Sequence, residues 1–161
     1  MQLFSSFVIL LSFQEYRKMF KGMNQIVTWS IRDETLHVQG MMKIFDTLIK
    51  ENPHVWTDAF KKRIYEACRT MVELEFKFID LAFGAEEIFI PKEEIKNYVM
   101  YIADRRLHQL GLKANYKIEV NPFPWLDWVL NGLEHTNFFE VRSTEYAKGS
   151  TTGTWQDVWS F

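Results

Sequence analysis

The sequence predicts an all-α protein built as a helical bundle, and three observations support this prediction. The 161 residues include only 4 Pro and 7 Gly, with 47% hydrophobic and 25% charged residues, which suits one compact helical domain with a sizeable core. A long segment, about residues 23–50, has no Pro and repeats apolar residues at helical spacing. A series of helix start and stop signals divides the rest of the chain into further helices.

The first apolar segment, Met1–Phe13, predicts a buried helix. A signal peptide would need a basic residue before the apolar run and a small-residue cleavage site after it, and neither is there. A membrane span needs about 18 or more apolar residues, whereas charged residues follow from Glu15 onward. Too few residues precede the segment for a helix cap, so we expect the native helix to begin further upstream.

The second and third helices are separated by a proline. The second follows Gly22, which ends the first helix or turns the chain, and it stops near Pro53 because proline disfavours helical geometry in the preceding residue. The third begins shortly afterwards and continues to Phe83. Glu73 and Glu75 flank its apolar stripe and are predicted to be surface charges. This stripe has coiled-coil-like spacing and comprises Phe60, Ile64, Ala67, Met71, Leu74, Phe78 and Leu81.

A fourth helix is predicted over about residues 92–110. Pro91 and the acidic residues after it mark its start, because an early proline loses no hydrogen bond and acidic side chains complement the helix dipole. Gly111 ends the helix, and residues 121–128 predict an apolar turn into a short fifth helix that Gly132 closes. The residues expected to pack the fourth helix are Ile95, Tyr98, Val99 and Ile102.

The last part of the chain predicts a flexible tail. From about residue 136 the periodicity is lost, and Ser, Thr and Gly dominate residues 143–154. We therefore divide the chain into a helical domain, 1–135, and a tail, 136–161. The end of the tail carries apolar residues that favour a docking peptide covered by a partner, although folding back onto its own domain is the alternative. They are Trp155, Val158, Trp159 and Phe161.

Charge and cysteine content exclude several classes of function. A net charge of −2 and a pI near 6.1 show no excess of basic charge of the kind that binds nucleic acid. The single cysteine, Cys68, cannot form an internal disulfide, and the chain has no CxxC pair or zinc-finger spacing, so we expect an intracellular protein. Cys68 lies among apolar helical positions, which favours a role in core packing over catalysis.

A carboxylate and an imidazole interrupt the apolar face of the second helix. A buried Glu needs a partner, a metal ion or a raised pKa, because burial of a bare charge costs several kcal/mol. Glu34 and His37 form a Glu-x-x-His pair on one helix face, as ferritin-like bundles use for di-iron or di-manganese sites. With Asp33 beside it the pair predicts metal ligation, and a solvated or merely hydrogen-bonded pair is the alternative. The face, called the seam below and predicted to point into the bundle, comprises Val27, Ser30, Glu34, His37, Met41, Ile44 and Leu48.

Several motifs occur in order along the chain. They are Gly22, the run Ser30–His37, Ala103-Asp104-Arg105-Arg106-Leu107 with Leu110-Gly111-Leu112, Asn121-Pro122 with Pro124-Trp125, and a tail with Glu140 and Tyr146. In combination they resemble the small (β) subunit of class I ribonucleotide reductase. The matches extend from about Phe4 to the C-terminus, so the resemblance covers nearly the whole chain.

The resemblance implies a ferritin-like helical fold in which Glu34 and His37 bind one metal of a di-iron centre. Carboxylate and imidazole ligands suit iron, with manganese possible. It further implies that Asp33 joins a hydrogen-bond chain for radical transfer, and that Glu140 and Tyr146 carry the radical across the subunit interface. The partner it implies is a large (α) subunit that reduces ribonucleotides to deoxyribonucleotides and binds the end of the tail. Without the resemblance, Tyr146 is simply an exposed aromatic residue.

The resemblance also implies that the metal site is incomplete in this chain. The family takes its ligands from four helices, and only the last Glu-x-x-His pair is present here. The sequence therefore resembles the C-terminal half of a small subunit, whether as a fragment, a split gene product or the result of a misjudged start codon. Phe4 and Val8 fall where the family has apolar residues around the radical. We expect weak or no iron binding by this chain alone.

Activity would then require two partners, the missing N-terminal half and the large subunit. The complete small subunit is expected to be a cytoplasmic homodimer with no membrane or nucleic-acid contact. An inactive fragment that only binds the large subunit is the alternative, and a different ferritin-like oxidase is a third hypothesis, against which the Tyr146 tail argues.

Overall fold

Five α-helices and one short 3-10 turn form the regular structure in the computed structural model, which describes residues 4–83 and 89–131, with side chains up to Asp127. They are α1 (Phe4–Arg17), α2 (Lys21–Glu51), the 3-10 turn (Pro53–Val55), α3 (Asp58–Phe83), α4 (Lys92–Gln109) and α5 (Pro124–Asn131). No strand occurs within these ranges, so the predicted all-α class is confirmed. None of the helices in them is long and apolar enough to cross a membrane.

The junction between α1 and α2 differs from the prediction. α1 ends at Arg17, well before Gly22, and Gly22 lies inside the first turn of α2. The chain instead reverses at Lys18 and Phe20, whose φ angles of 57° and 58° are left-handed. The backbone N–H of Lys18 donates to the carbonyl of Gln14 at 3.0 Å, so the last turn of α1 is closed without a glycine.

α4 lies at the centre of the packing and contacts both α1 and α3. The four residues predicted to pack it are all buried, and so is Cys68 of α3, as expected. Burial of such side chains contributes about 1.5–3 kcal/mol each through removal of apolar surface from water. The most deeply buried aliphatic and aromatic residues of the core are Val8, Leu11, Val72, Ile79, Ile95, Tyr98, Val99, Ile102, Leu107, Phe123 and Leu126.

A buried carboxylate organises the loop after α4. Oδ1 of Asp104 accepts the backbone N–H groups of Asn115 at 2.7 Å and Tyr116 at 2.9 Å, and Oδ2 accepts that of Ile118 at 3.1 Å. Gly111 ends the helix with φ 73°, a conformation that glycine adopts without strain, so the predicted stop is confirmed. Asp104 therefore anchors the loop to α4.

The Asn-Pro segment starts α5 by a local side-chain turn. Oδ1 of Asn121 accepts the backbone N–H of Phe123, and its Nδ2 donates to Oδ1 of Asp127, both at 2.9 Å. An asparagine that bonds its own backbone two residues on is a common turn device. Phe123 and Leu126 are thereby turned into the core beside α4.

Candidate metal centre

Glu34 and His37 lie on the same face of α2, one turn apart. Oε2 of Glu34 is 3.8 Å from Nδ1 of His37, and Oδ2 of Asp33 is 4.0 Å from Nε2 of the same ring. Each ring nitrogen therefore faces a carboxylate at ion-pair rather than hydrogen-bond distance. The helix places the three side chains close together before any cation is present.

From Ser30 onward the seam of α2 points to solvent, whereas Val27 at its start is buried. The side chains of Glu34 and His37 are 46% and 62% exposed, and Met41, Ile44 and Leu48 are each more than half exposed. α2 packs against α1, and its buried residues are Val27 and Ile31. The prediction that the seam faces a bundle interior holds at Val27 but is wrong for this chain by itself from Ser30 onward, because heptad spacing identifies an apolar face but not the polypeptide that covers it.

The donor set fits part of a metal site. Carboxylate oxygen and imidazole nitrogen are ligands that iron and manganese accept, and both are on the accessible side of α2. Over the ranges that the structure describes, no group of three or more His, Cys, Asp or Glu is arranged to hold a metal ion. Completion of the site would therefore need ligands from other residues.

The third helix repeats the pattern seen in α2. Its predicted stripe is largely outside the core, with Leu74, Phe78 and Leu81 exposed, while the buried positions lie on the adjacent face. Glu75 belongs to that buried face, so its assignment to the surface is wrong. The hydroxyl and the backbone N–H of Ser5 both donate to Oε2 of Glu75, which links α1 to α3 and compensates part of the desolvation of the carboxylate.

Other predicted site residues divide into two groups. Val8 is buried, and Phe4 packs against the core beneath the guanidinium of Arg106, whose Cζ is 5.5 Å from the ring centroid. The six predicted tail residues lie outside the described residues: Glu140, Tyr146, Trp155, Val158, Trp159 and Phe161.

One surface feature near Asp33 was not predicted. A cavity of about 480 Å³ lies against α2, and Ile26 and Leu36, two apolar residues outside the seam, contribute to its wall. Both are more than half exposed. The signal available in the sequence was the position of these two apolar residues on a helix face that the seam does not include. The described lining residues are Ile26, Trp29, Ser30, Arg32, Asp33 and Leu36.

Comparison with known proteins identifies the family. The family model described as ribonucleotide reductase, small chain, matches residues 1–122. This chain belongs to that family. The family match agrees with the resemblance that the motifs indicated. Proteins of this family have the same helical fold as the part of this chain that carries Glu34 and His37.

Curated relatives and solved structures agree with the family match. The chain is 46% identical over 156 residues to a ribonucleoside-diphosphate reductase small subunit of Invertebrate iridescent virus 3, covering 96% of this chain and 41% of the relative. It is 35% identical over 143 residues to a β subunit from Chlamydia pneumoniae, covering 89% and 41%. The chain thus spans less than half the length of these two members of the small chain family.

Structural similarity confirms the ferritin-like fold of the small chain family. A class I ribonucleotide reductase from Bacillus halodurans superposes with a TM-score of 0.72 at 27% identity, covering 78% of this chain and 45% of that one. The ribonucleotide reductase R2 subunit from Clostridium botulinum gives a TM-score of 0.68 at 27% identity, covering 78% and 39%.

Proposed function

We propose that this chain acts as the C-terminal part of a ribonucleoside-diphosphate reductase small subunit and that Glu34 and His37 supply two ligands of its di-iron centre. The observation that carries the proposal is the placement of this pair in the middle of an uncovered apolar face of α2. Family membership supports it, since a di-iron centre is the cofactor of the small chain family. When bound, that centre supplies the one-electron oxidation that generates a radical.

The remaining ligands come, in this proposal, from helices of an N-terminal half, either as a separate chain or within a longer one. Such helices would cover Met41, Ile44 and Leu48, which are now exposed, and would bring further carboxylates to Glu34 and His37. The relatives, more than twice as long as the matched segment, have length enough for these helices. By itself the chain is expected to bind iron weakly or not at all.

Asp33 is proposed to position the imidazole and to take part in proton movement. A carboxylate beside the ring nitrogen that does not bind metal fixes the tautomer and raises the basicity of the ligand. Here Asp33 Oδ2 is 4.0 Å from Nε2 of His37, while Nδ1 faces Glu34, so closure by less than 1.5 Å would make the hydrogen bond. Metal binding at Nδ1 and orientation at Nε2 are compatible.

The tail is proposed to connect the small subunit to the large subunit. Glu140 and Tyr146 would carry the radical across the interface, and Trp155, Val158, Trp159 and Phe161 would dock on the large subunit, which reduces the ribonucleotide. A phenol can transfer an electron and a proton together, which makes Tyr146 suitable for this step. Complete small subunits would form a homodimer in the cytoplasm.

Co-expression tests the metal role. The partner is the N-terminal portion of the Invertebrate iridescent virus 3 small subunit that this chain does not match, and the readouts are bound iron and reduction of CDP with a ribonucleotide reductase large subunit. Glu34→Ala and His37→Ala should each lower bound iron at least tenfold, because loss of a ligand exposes the metal to water. Glu73→Ala, an exposed carboxylate on α3, is the control and should retain it. Iron content that survives His37→Ala would contradict the ligand role.

An inactive interaction module is the second candidate, favoured by the finding that no group of three or more His, Cys, Asp or Glu in the described part of the chain is arranged to hold a metal ion. A peptide of residues 142–161 tests the tail that both candidates share: both require it to bind the large subunit, so failure to bind removes the module and also contradicts the docking role of the tail in the reductase component. Tyr146→Phe then separates radical transfer from metal assembly. The reductase component should lose CDP reduction while keeping its iron, whereas a different ferritin-like oxidase should keep its iron and show no CDP reduction with or without the substitution.

A further inference from the structure

We infer that Trp125 and Tyr16 form a redox pair that discharges one-electron oxidation of the protein interior: an oxidised Trp125 takes an electron from Tyr16, and a soluble thiol then repairs Tyr16. The two rings connect α5 to the last turn of α1, with centroids 6.3 Å apart and planes at 89°. Neither the seam of α2 nor the predicted stripe of α3 takes part in this contact. The inference rests on the proposed function for its source of oxidising radicals.

A line of aromatic rings in mutual contact leads from the core to the pair. Tyr101 stacks on Tyr98 with centroids 6.3 Å apart. Phe123 follows at 5.7 Å from Tyr98 and lies 6.1 Å from Trp125. Tyr98 and Phe123 are each 1% exposed, so this part of the line is inside the core. The indole of Trp125 is therefore the last ring between the buried part of the line and Tyr16.

The indole of Trp125 is a poor place for an oxidised ring to remain. Its Nε1 atom is buried and has no hydrogen-bond partner in the part of the chain that the structure describes. An indole N–H only donates, so the oxidised ring finds no acceptor there for its proton and stays a radical cation. A cation in such surroundings is penalised by lost hydration. Trp125 therefore acts as an oxidant of its neighbour.

Tyr16 is the neighbour that can supply the electron. It is 48% exposed, so the proton of its phenol passes to water when the ring is oxidised. In this step the Trp125 radical cation takes one electron from Tyr16, and the phenol O–H releases its proton to a water molecule. The products are neutral Trp125, a neutral phenoxyl radical on Tyr16 and a hydronium ion. The positive charge thus moves from the protein to the solvent.

Repair of Tyr16 needs a reductant from solution, and a thiol serves. The thiol S–H bond breaks, its hydrogen atom forms the O–H bond of the phenol, and a thiyl radical leaves in solution. Tyr16 is then ready for another turnover, and the interior has lost no side chain to oxidation.

Tyr98 is the competing electron donor, and two features disfavour it. The hydrocarbon ring of Phe123, which is harder to oxidise than a phenol or an indole, separates Tyr98 from Trp125. Burial raises the pKa of Tyr98, which means that loss of its proton is unfavourable where it lies. Oxidation of a phenol requires that loss, so the electron comes from Tyr16.

Selective oxidation of the full chain tests the pair. Azide radicals generated by radiolysis oxidise tryptophan by one electron in preference to tyrosine at neutral pH. The chain has 6 Trp and 6 Tyr, so the products are assigned to single residues by peptide mass spectrometry. Trp56 is the internal reference, because it is half-buried like Trp125 and its ring contacts Phe45 and Phe60.

Two phenol deletions give the decisive comparison. Tyr16→Phe keeps an aromatic ring against Trp125 and should raise the ratio of Trp125 to Trp56 oxidation about threefold or more. Tyr101→Phe, at the buried end of the line of rings, is the matched control and should leave the ratio unchanged. A ratio that stays constant in Tyr16→Phe, or rises equally in Tyr101→Phe, would overturn the inference.

A kinetic measurement on the unmodified chain needs no variant. After a pulse of azide radicals, the absorption of tryptophan radicals should decay into that of tyrosine radicals, with a phase whose rate is independent of protein concentration. That phase should be slower in D₂O, because the phenol releases its proton in the same step. Conversion whose rate is proportional to protein concentration throughout would show transfer between molecules and overturn the pair.

Failure of the redox pair and failure of the proposed function give different results. The oxidation experiments use neither iron nor a large subunit, so a negative result leaves the ligand roles of Glu34 and His37 as they stand. Loss of iron binding in the co-expression test would leave the transfer from Tyr16 to Trp125 measurable, and would remove only the proposed source of radicals.

Discussion

Asp104→Asn is expected to destabilise the chain by about 3 kcal/mol. Oδ1 now accepts two backbone N–H groups and Oδ2 accepts a third, from Ile118 at 3.1 Å. The amide keeps an oxygen for the first two bonds, which fall from charged to neutral strength at a cost of about 1 kcal/mol each. Its NH₂ group meets the Ile118 N–H, donor against donor, and leaves that partly buried group unbonded for about 1 kcal/mol more.

Urea unfolding followed by circular dichroism measures this loss. With a typical m-value of about 2 kcal/mol per M, the midpoint should fall by about 1.5 M while the slope is unchanged. Asp58→Asn is the control, since the Asp58 side chain is fully exposed and its ion pair with Lys61 at 3.0 Å is solvated, so the midpoint should not move. A shift below about 0.5 kcal/mol for Asp104→Asn would refute the role of Asp104 as the anchor of the loop.

Three further predictions concern buried groups. Ser5→Ala should cost about 1–3 kcal/mol in urea unfolding, because it removes the hydroxyl donor to the buried carboxylate of Glu75, and Glu75→Gln should cost less because the amide still accepts. Burial raises the pKa of Tyr98 above its ordinary 10.0, so the unfolded chain ionises first and stability falls as the pH rises above 10.0 until the folded pKa is passed. Tyr98→Phe should remove this part of the alkaline loss, and an unchanged pH profile would contradict it. Ile79→Ala should cost about 3 kcal/mol through cavity formation, whereas Leu81→Ala, at an 83% exposed position, should be near neutral; equal losses would refute the observed burial.

Helix positions could be predicted from the sequence because their signals are local. Pro53, Pro91 and Gly111 act on the backbone next to them, through lost N–H groups, restricted φ angles and left-handed conformations, and each lies at a helix end as expected. The end of α1 was missed because Lys18 and Phe20 adopt left-handed conformations without glycine. Their side chains give no sequence signal for such a turn.

The packed faces could be predicted only in part. In α4 the predicted core positions are buried, since that helix is surrounded by others of the same chain. In α2 and α3 the heptad stripes are largely exposed, apart from Val27 and Ile64, and adjacent positions such as Ile31 and Ile79 form much of the core. Periodicity in the sequence shows which face of a helix is apolar, but the residues that pack against that face are determined by the tertiary structure. Glu75 was missed for the same reason, because its donor, Ser5, is remote in sequence.

The accessibility of His37 and Glu34 has a consequence for cofactor loading. If a cation is bound by donors from two separate polypeptides, it also links them. Because coupling between binding equilibria is reciprocal, any change that raises the affinity of the two polypeptides for each other also raises their affinity for the ion. Iron supply would then govern assembly of the reductase as much as assembly governs iron retention. Removal of the ion by a chelator would then dissociate the polypeptides before it unfolded either of them.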